Sequence, residues 1–260
     1  MRFIDTSHNT SVGFLNHIAK HGQNLYGLDL DFQRSYPKIQ GSLLKKGIKN
    51  LKHLGLIGLD KDQDVDLLTT MLNCKQLKSI NFRNCEVSES IMLKSINFKR
   101  DKLEDLKFYQ KEIGDEWLED LEKFLKLYSF MIGGMKITES GFKAIGKLEN
   151  LKILQLGYSE YQQEYKVNDV INMLSNKKFK NLKDLGLYGI VGSIGELLMF
   201  VVFACPRLNY LEIICLTDNR KDFHLNIIKL LFDSLPESIF AIFRIVMSEL
   251  FLETGEKPFM

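Results

Sequence analysis

The amino-acid sequence predicts an α/β solenoid in which parallel strands line a concave face and helices cover the convex face. A six-residue pattern, apolar-x-x-apolar-x-apolar, recurs nine times along the chain. Segments with helical apolar spacing separate several of these copies. Each unit has an apolar face that only a neighbouring unit can cover, so the copies are expected to stack into one continuous array.

The copies follow one another at a nearly constant interval. They begin at Leu25, Leu51, Leu77, Leu103, Leu127, Leu151, Leu182, Leu208 and Phe240. Successive starts are 26, 26, 26, 24, 24, 31, 26 and 32 residues apart. An L-x-x-L-x-L core with a period of about 20 to 29 residues is the signature of leucine-rich repeats. We therefore predict a horseshoe-shaped leucine-rich-repeat solenoid over residues 25–247, preceded by a cap (1–24) and followed by a tail (248–260).

The segments between strands predict returning helices. Residues 137–145 and 167–174 each carry an apolar stripe behind a polar start, as capped helices do. The longest apolar run, Ile194–Cys205, is too short to cross a bilayer and falls where a repeat helix is due. Residues 11–21 predict one short helix in the cap. Strands joined by helices run parallel, and such crossovers are right-handed.

Side chains of each copy alternate between two faces. The first, fourth and sixth positions are expected to point into the core, while the third, fifth and seventh point to solvent. Tyrosine and arginine are frequent anchors of protein interfaces because they bury a large area while keeping a polar group. The solvent positions contain Arg83, Tyr109, Tyr188 and Tyr210. We predict these four residues as contacts for a protein partner.

A second predicted contact surface lies at one rim of the array. The 31-residue unit carries a loop with Tyr158, Tyr161 and Tyr165, and the unit that starts at Leu208 carries a second insertion at residues 217–223. Both insertions follow the carboxyl end of a strand, so they project from the same rim. Loops on a rigid scaffold are common binding elements. The three tyrosines can anchor a partner there, or they can fold back on the last repeats.

Composition indicates a folded protein without a highly charged partner. The chain is 45% hydrophobic, has only four prolines and carries a net charge of +2. This balance provides neither the basic stripe typical of nucleic-acid binding nor a surface for anionic membranes. The first ten residues lack the apolar core of a signal peptide. We therefore expect a monomer in the cytoplasm or nucleus, with its cysteines reduced.

The placement of three cysteines identifies a type of repeat. Cys74 and Cys205 each stand three residues before the first leucine of a copy, in a slot expected to be buried. Cys85 is the ninth residue of its copy, where a side-chain donor can satisfy a loop carbonyl. Together with the 26-residue period and the segment Ile137-Thr-Glu-Ser-Gly-Phe, this pattern resembles the cysteine-containing leucine-rich repeats of F-box proteins.

This resemblance covers residues 25 to 247 and implies a function. In that family the repeats select a substrate, while an F-box domain binds a Skp-type adaptor and thereby a cullin ubiquitin ligase. The resemblance implies that this chain is the substrate-recognition part of an F-box-like receptor. Only 24 residues precede the first copy, which is shorter than an F-box, so binding of the adaptor and cullin would require an upstream F-box. The alternatives are a stand-alone scaffold or assembly adaptor, and an enzyme inhibitor or pathogen effector.

Other motifs do not predict chemistry. Asp60-x-Asp62-x-Asp64 is similar to the start of a calcium loop, but Val65 replaces the required glycine. His17 and His21 share a helix face without a further ligand nearby in sequence. The sequence has no glycine-rich phosphate loop and no nucleophile elbow in a suitable context. We therefore expect no enzymatic activity, no cofactor and no metal.

Overall fold

The computed structural model describes residues 2–6, 12–32, 47–58, 74–85, 96, 100–109, 114–157, 163–175, 179–215 and 242–247. The chain divides into two compact units. The first comprises residues 1–113 with 123–127, and the second comprises residues 114–122 with 128–260. Both units consist of parallel strands with helical segments between some of them, as predicted for an α/β repeat protein.

In the first unit, the described residues form five strands in chain order. Each pairs in parallel with the next one along the chain. A helix, α1 (Val12–His21), and a short 3-10 turn, Gly22–Asn24, connect the first two strands. The strands are β1 (Arg2–Thr6), β2 (Leu25–Asp31), β3 (His53–Ile57), β4 (Ser79–Arg83) and β5 (Asp105–Tyr109).

The part of the second unit that the structure describes contains six strands and three α-helices. Five strands pair in parallel in the order β6-β7-β9-β10-β11, and the two-residue β8 also pairs with β9. A 3-10 segment, Glu116–Lys123, precedes them in the chain. The elements are β6 (Ser129–Gly133), α2 (Glu139–Ile145), β7 (Ile153–Leu156), β8 (Tyr165–Lys166), α3 (Val167–Leu174), β9 (Asp184–Val191), α4 (Ile194–Ala204), β10 (Tyr210–Cys215) and β11 (Ile242–Met247).

The repeat pattern sets where strands begin. Eight of the described strands, β3 to β7 and β9 to β11 without β8, begin at the third position of a copy. Within each unit the copies pair position by position, so that Leu54 lies beside Ile80 and Leu154 beside Leu185. The predicted parallel pairing is confirmed, and so are the helices between strands where the structure describes the connecting segments, as between β1 and β2, β6 and β7, and β9 and β10. The right-handed crossovers and the horseshoe curvature stay predictions.

The fourth and sixth positions form the core. In the first eight copies every residue at these positions is at most 1% exposed. Edge-to-face packing between Phe82 and Phe108, with ring centroids 6.4 Å apart, links two neighbouring copies in the first unit. The slot three residues before a copy is buried, as predicted, at six described positions, and exposed at Arg100, which precedes Leu103. The six are Ile48, Cys74, Phe124, Leu148, Phe179 and Cys205.

The helices begin and end close to the predicted limits. Thr138 caps α2, because its side chain accepts a hydrogen bond from the Gly141 backbone N–H. Helix α3 spans 167–174 as predicted, and α4 ends at Ala204, one residue before the end of the apolar run. Within the described residues, no helix is both long enough and apolar enough to cross a membrane.

The segment assigned to a cap contains a strand that the pattern did not predict. Strand β1 pairs in parallel with β2, with Ile4 beside Leu28 and Thr6 beside Leu30. Ile4 and Thr6 thus take the fourth and sixth positions of a degenerate copy. The threonine at the sixth position breaks the apolar pattern, which explains why the sequence did not reveal this copy.

The cysteines act as small buried groups. The thiol of Cys74 donates to the Ile48 carbonyl and that of Cys85 to the Leu56 carbonyl, both at 3.2 Å. Both bonds connect neighbouring copies, and the acceptor of Cys85 belongs to Leu56 on β3 and not to a loop residue as predicted. Burial raises the pKa of the Cys205 thiol to about 12 and that of Cys215 to about 11. All four cysteines are buried, and none of them forms a disulfide.

Shortening a core leucine should destabilise the protein. Leu106 is fully buried on β5, so Leu106→Ala is expected to lower the free energy of unfolding by about 2–5 kcal/mol. Leu125 belongs to the same unit but is 70% exposed, so Leu125→Ala should change it by less than about 0.5 kcal/mol. Urea denaturation followed by circular dichroism measures both. Equal effects of the two substitutions would contradict the described core.

Candidate functional site

The candidate site is the sheet face formed by the third, fifth and seventh positions of the copies, which we call the strand face. Within β7, Ile153 and Gln155 are partly exposed, whereas Leu154 and Leu156 are fully buried. The same alternation occurs on β4. Residues on the strand face therefore need not be apolar for the core to form.

In the first unit, a chain of hydrogen bonds crosses four strands of this face. The Nε2 atom of His53 lies 2.9 Å from Oδ1 of Asp29, and its Nδ1 lies 2.7 Å from Oγ of Ser79. The Ser79 hydroxyl donates to Oδ2 of Asp105 at 2.7 Å. His53, Ser79 and Asp105 all occupy third positions, so the parallel register places them side by side.

This network sets the hydrogen-bonding roles of its hydroxyl and carboxylate groups. The single Ser79 proton is directed at the Asp105 carboxylate, so it is not directed at His53. The Asp29 carboxylate can only accept, so it receives its hydrogen bond from Nε2 of His53. In this arrangement His53 does not accept the Ser79 proton, as a general base would, although the three residue types are those of hydrolase triads.

A glycine allows Asp29 to reach His53. Asp29 lies at a fifth position on β2, beside Gly55 on β3. A Cβ atom at position 55 would lie 1.7 Å from Oδ1 of Asp29. Glycine therefore leaves the space through which the carboxylate reaches the third position of the neighbouring strand.

Two acceptors on this face have unused hydrogen-bonding capacity. Among the described residues, the buried Oδ1 atoms of Asn81 and Asp105 have no hydrogen-bond partner. A buried acceptor without a partner costs about 1–3 kcal/mol relative to a satisfied one. Donors from a bound molecule would remove this cost.

In the second unit, the strand face forms an open depression across β6, β7, β9 and β10. Its volume is about 480 Å³. Nearly all of the lining side chains come from third, fifth and seventh positions, which the pattern assigned to solvent. They are Met131, Ile153, Gln155, Asp184, Gly186, Tyr188, Tyr210 and Glu212.

Two tyrosines hold the carboxylate of Glu212 at one end of the depression. The Tyr188 hydroxyl donates to Oε2 of Glu212 at 2.5 Å, and the Tyr210 hydroxyl donates to the same oxygen at 3.1 Å. Glu212 is only 8% exposed. The two phenols therefore compensate for part of the solvation that this carboxylate has lost.

Two glycines make room for Tyr188. At Gly157, whose φ is +81°, a Cβ atom would lie 2.5 Å from the Tyr188 carbonyl oxygen. At Gly186, a Cβ atom would lie 3.1 Å from Cε2 of Tyr188 and 3.2 Å from Cγ of Gln155. Gly157 thus allows the chain to approach Tyr188, and Gly186, which lines the depression, leaves space between Tyr188 and Gln155.

The structure brings some of the predicted contact residues together. Tyr188 and Tyr210 line the depression in the second unit. Arg83 and Tyr109 lie side by side on β4 and β5 in the first unit. Arg83 is partly exposed, but Tyr109 is only 6% exposed and so offers little area to a partner. Tyr158 and Tyr161 lie outside the described residues.

The structure corrects the placement of Tyr165. It lies on β8 and is 2% exposed. Its ring packs edge-on against Phe142, with centroids 5.7 Å apart, and its hydroxyl donates to the Met135 carbonyl at 3.1 Å. Burial raises the pKa of its hydroxyl well above the usual value. Tyr165 therefore stabilises the core and does not belong to an exposed rim loop.

Sequence reasoning did not select Glu212 or Asp184. It also missed the chain of hydrogen bonds that runs from Asp29 through His53 and Ser79 to Asp105. The relevant signal was present, because His53, Ser79 and Asp105 are polar residues at the third position of consecutive copies. Side chains at one position of neighbouring parallel strands lie close enough to interact. A search for polar runs at a fixed repeat position would have found the network, although not the diagonal contact with Asp29.

The two histidines with metal-like spacing lie on α1, outside the strand face. His17 and His21 lie close together on α1, with ring centroids 4.7 Å apart. Throughout the described ranges, no group of three or more His, Cys, Asp or Glu side chains is arranged to hold a metal ion. The calcium-like segment at residues 60–64 lies outside those ranges.

Comparison with known proteins provides similar structures but no family. No family model matches the chain, and no curated protein sequence matches it. A chain from the crystal structure of the Rad7 and Elc1 complex in yeast is 15% identical, with a TM-score of 0.47, over 85% of this chain and 70% of that one. The actin-binding site 2 structure of leiomodin-1 is 10% identical, with a TM-score of 0.32, over 76% and 90%. Likeness at these levels supports no argument about function.

Removing the central hydroxyl of the network should destabilise the first unit. Ser79→Ala removes the hydroxyl that bonds to Oδ2 of Asp105 and to Nδ1 of His53, so we expect a loss of about 1–2 kcal/mol in the free energy of unfolding. Ser193 is exposed and its side chain makes no capping hydrogen bond, so Ser193→Ala is the matched control, with an effect below about 0.5 kcal/mol. Urea denaturation compares the two. A Ser79→Ala protein as stable as the control would rule out a stabilising network.

Proposed function

We propose that this chain is a leucine-rich-repeat module that binds another protein through its strand face, with the depression of the second unit as the main contact area. The depression is the main support for this proposal, because nearly all of its lining side chains occupy positions that need not be apolar for the core to form. These positions nevertheless hold aromatic, apolar and carboxylate groups close together. Aromatic residues and methionine, which line part of the depression, are enriched in the central part of protein interfaces.

The first unit provides independent support. The unpartnered acceptors of Asn81 and Asp105 lie on the strand face of that unit. A protein partner would provide backbone and side-chain N–H donors to such atoms. We propose binding rather than catalysis, because the Ser79 proton is directed away from His53.

The finer proposal is that the bound protein is a substrate of a cullin ubiquitin ligase and that this chain acts in the cytoplasm or nucleus. It rests on the resemblance of the repeats and their cysteines to those of F-box proteins. Cys74 and Cys85 lie where that resemblance expects them, buried and bonded to backbone carbonyls. The second candidate is a scaffold or assembly adaptor without a link to ubiquitin. Both candidates use the strand face in the same way.

Photo-crosslinking tests the strand face directly. We would replace Tyr210 with p-benzoylphenylalanine in the full chain, express the protein in its native cells and irradiate them. Because Tyr210 lines the depression, covalent adducts with a partner are expected. Mass spectrometry would identify the partner and the crosslinked segment.

The matched control places the same photo-reactive group at Phe203. This aromatic residue is 77% exposed on α4 and does not line the depression. Adducts that form at position 203 but not at position 210 would show that the partner binds elsewhere and would refute the proposed binding surface.

Affinity purification separates the two finer candidates. If the chain is part of a ubiquitin-ligase receptor, a Skp-type adaptor and a cullin should copurify with it from native cells, together with the partner that crosslinks at position 210. Recovery of that partner without either ligase component would favour the scaffold. Leu106→Ala provides a control for nonspecific capture of a destabilised chain.

A further inference from the structure

Four lysines occupy equivalent positions in two consecutive copies of the first unit. Lys49 and Lys75 each stand two residues before the first leucine of a copy. Lys52 and Lys78 each stand one residue after it, directly before β3 and β4. We call these four residues the lysine cluster. All of them belong to the first unit, at the amino-terminal ends of its strands.

The parallel register brings the lysine cluster together. The Lys78 backbone N–H donates to the Lys52 carbonyl at 2.8 Å, so these two residues are neighbours on adjacent strands. Each preceding turn is closed by the same hydrogen bond, from the first leucine of the copy to the carbonyl three residues earlier, at 3.0 and 3.2 Å. Lys49 and Lys75 therefore hold equivalent places in adjacent turns. Neighbouring strands lie about 4.8 Å apart, so all four side chains start within a patch two strands wide.

The lysine cluster is exposed and positively charged. Lys49, Lys75 and Lys78 are exposed, and Lys52 is partly exposed. Ammonium groups that core packing holds on adjacent strands repel one another. A bound anion relieves this repulsion, so the cluster favours negatively charged groups at this edge of the sheet.

Contacts within the chain moderate the charge without covering it. The ammonium of Lys52 lies 5.2 Å from the ring centroid of Tyr26. Lys78 forms an ion pair with Glu104 at 2.5 Å, and the two side chains are 45% and 31% exposed. Exposed ion pairs of this kind are weak in water. A carboxylate from another molecule can therefore share Lys78 with Glu104 or replace it.

Neighbouring copies limit the size of an anion that fits. In the next copy along the sheet, the equivalent positions hold Asp101 and Glu104, and Arg100 and Lys102 lie beside Asp101. The surface there is of mixed charge, whereas the preceding copy has uncharged residues at these positions. A nucleic acid or an anionic membrane would extend over this mixed surface. The net charge of +2 also provides no wider basic surface for such partners.

We propose that the lysine cluster binds a short acidic segment of a partner protein, rich in aspartate or glutamate. Alternate side chains of an extended segment lie about 6.8 Å apart on one face, a spacing that flexible lysine side chains on adjacent strands can match. The cluster belongs to the first unit and the depression to the second. This second contact surface therefore goes beyond the binding proposed for the depression.

Defined anionic probes test this chemistry on the full chain. Fluorescence anisotropy would compare a labelled hexaglutamate peptide, the matched hexaglutamine peptide and a short DNA duplex, and cosedimentation would measure binding to vesicles that contain phosphatidylserine. Hexaglutamate should bind about tenfold more tightly than hexaglutamine at low salt. It should also bind more tightly than the duplex or the vesicles. Added salt should reduce the preference for hexaglutamate, because it screens exposed charges.

Paired substitutions locate the effect in the lysine cluster. The double variant Lys49→Gln with Lys75→Gln removes two exposed charges, so it should fold and bind hexaglutamate about tenfold more weakly, with hexaglutamine unchanged. The matched control is Lys136→Gln with Lys166→Gln. It removes the same charge from exposed positions of the second unit and should leave both affinities unchanged.

A substitution at Glu104 should act in the opposite direction. Because Glu104 competes for Lys78, Glu104→Gln is expected to strengthen hexaglutamate binding about twofold to threefold. If the ion pair only stabilised the fold, its loss would not tighten the binding of an acidic peptide.

Several results would overturn the inference. They are equal affinity for the two peptides, tighter binding of the duplex or the vesicles, an equal loss in the control double variant, and weaker hexaglutamate binding by Glu104→Gln. Crosslinking at position 210 probes the other unit. Adducts that still form there would leave the strand face as a binding surface, whereas hexaglutamate binding without adducts there would support only the lysine cluster.

Discussion

Burial of the fourth and sixth side chains is the constraint on which the rest of the structure depends. One strand with its returning segment cannot cover these residues, so each copy must lie beside another copy with the same positions aligned. Leu54, Ile80 and Leu106 are neighbours for this reason, as are Leu154, Leu185 and Leu211. Slipping the register by one residue would expose these side chains and bury the polar ones between them.

The same register organises the opposite face. Once the core positions are aligned, third positions necessarily lie beside third positions. His53, Ser79 and Asp105 become a hydrogen-bonded row because they share that position in consecutive copies. In the second unit, Asp184 and Tyr210 are brought together by the same rule. Core packing therefore brings these strand-face side chains together, whatever residue types occupy the positions.

Local departures from the regular pattern then shape these rows into sites. Gly55 allows Asp29 to reach diagonally across to His53, and Gly186 opens the floor beside Tyr188. Glu212 is buried at a position that is normally exposed, and two tyrosine hydroxyls stabilise it there. A leucine-rich pattern specifies none of these features. They depend on the particular side chains that two or three neighbouring copies place side by side.

The sequence by itself determined the repeat period, the starts of eight strands, the helices α2, α3 and α4 and the buried cysteine slot. Local propensity and nearest-neighbour burial control these features, and both can be read from spacing. Tertiary structure alone decided that β1 is a strand, that Tyr165 lies in the core and that Tyr188, Tyr210 and Glu212 meet in one depression. Strand β1 depends on pairing with β2, because its own pattern contains a threonine at the sixth position. Burial of Tyr165 depends on the path of the chain between copies, and the depression depends on side-chain conformations on neighbouring strands. The spacing of apolar residues specifies neither.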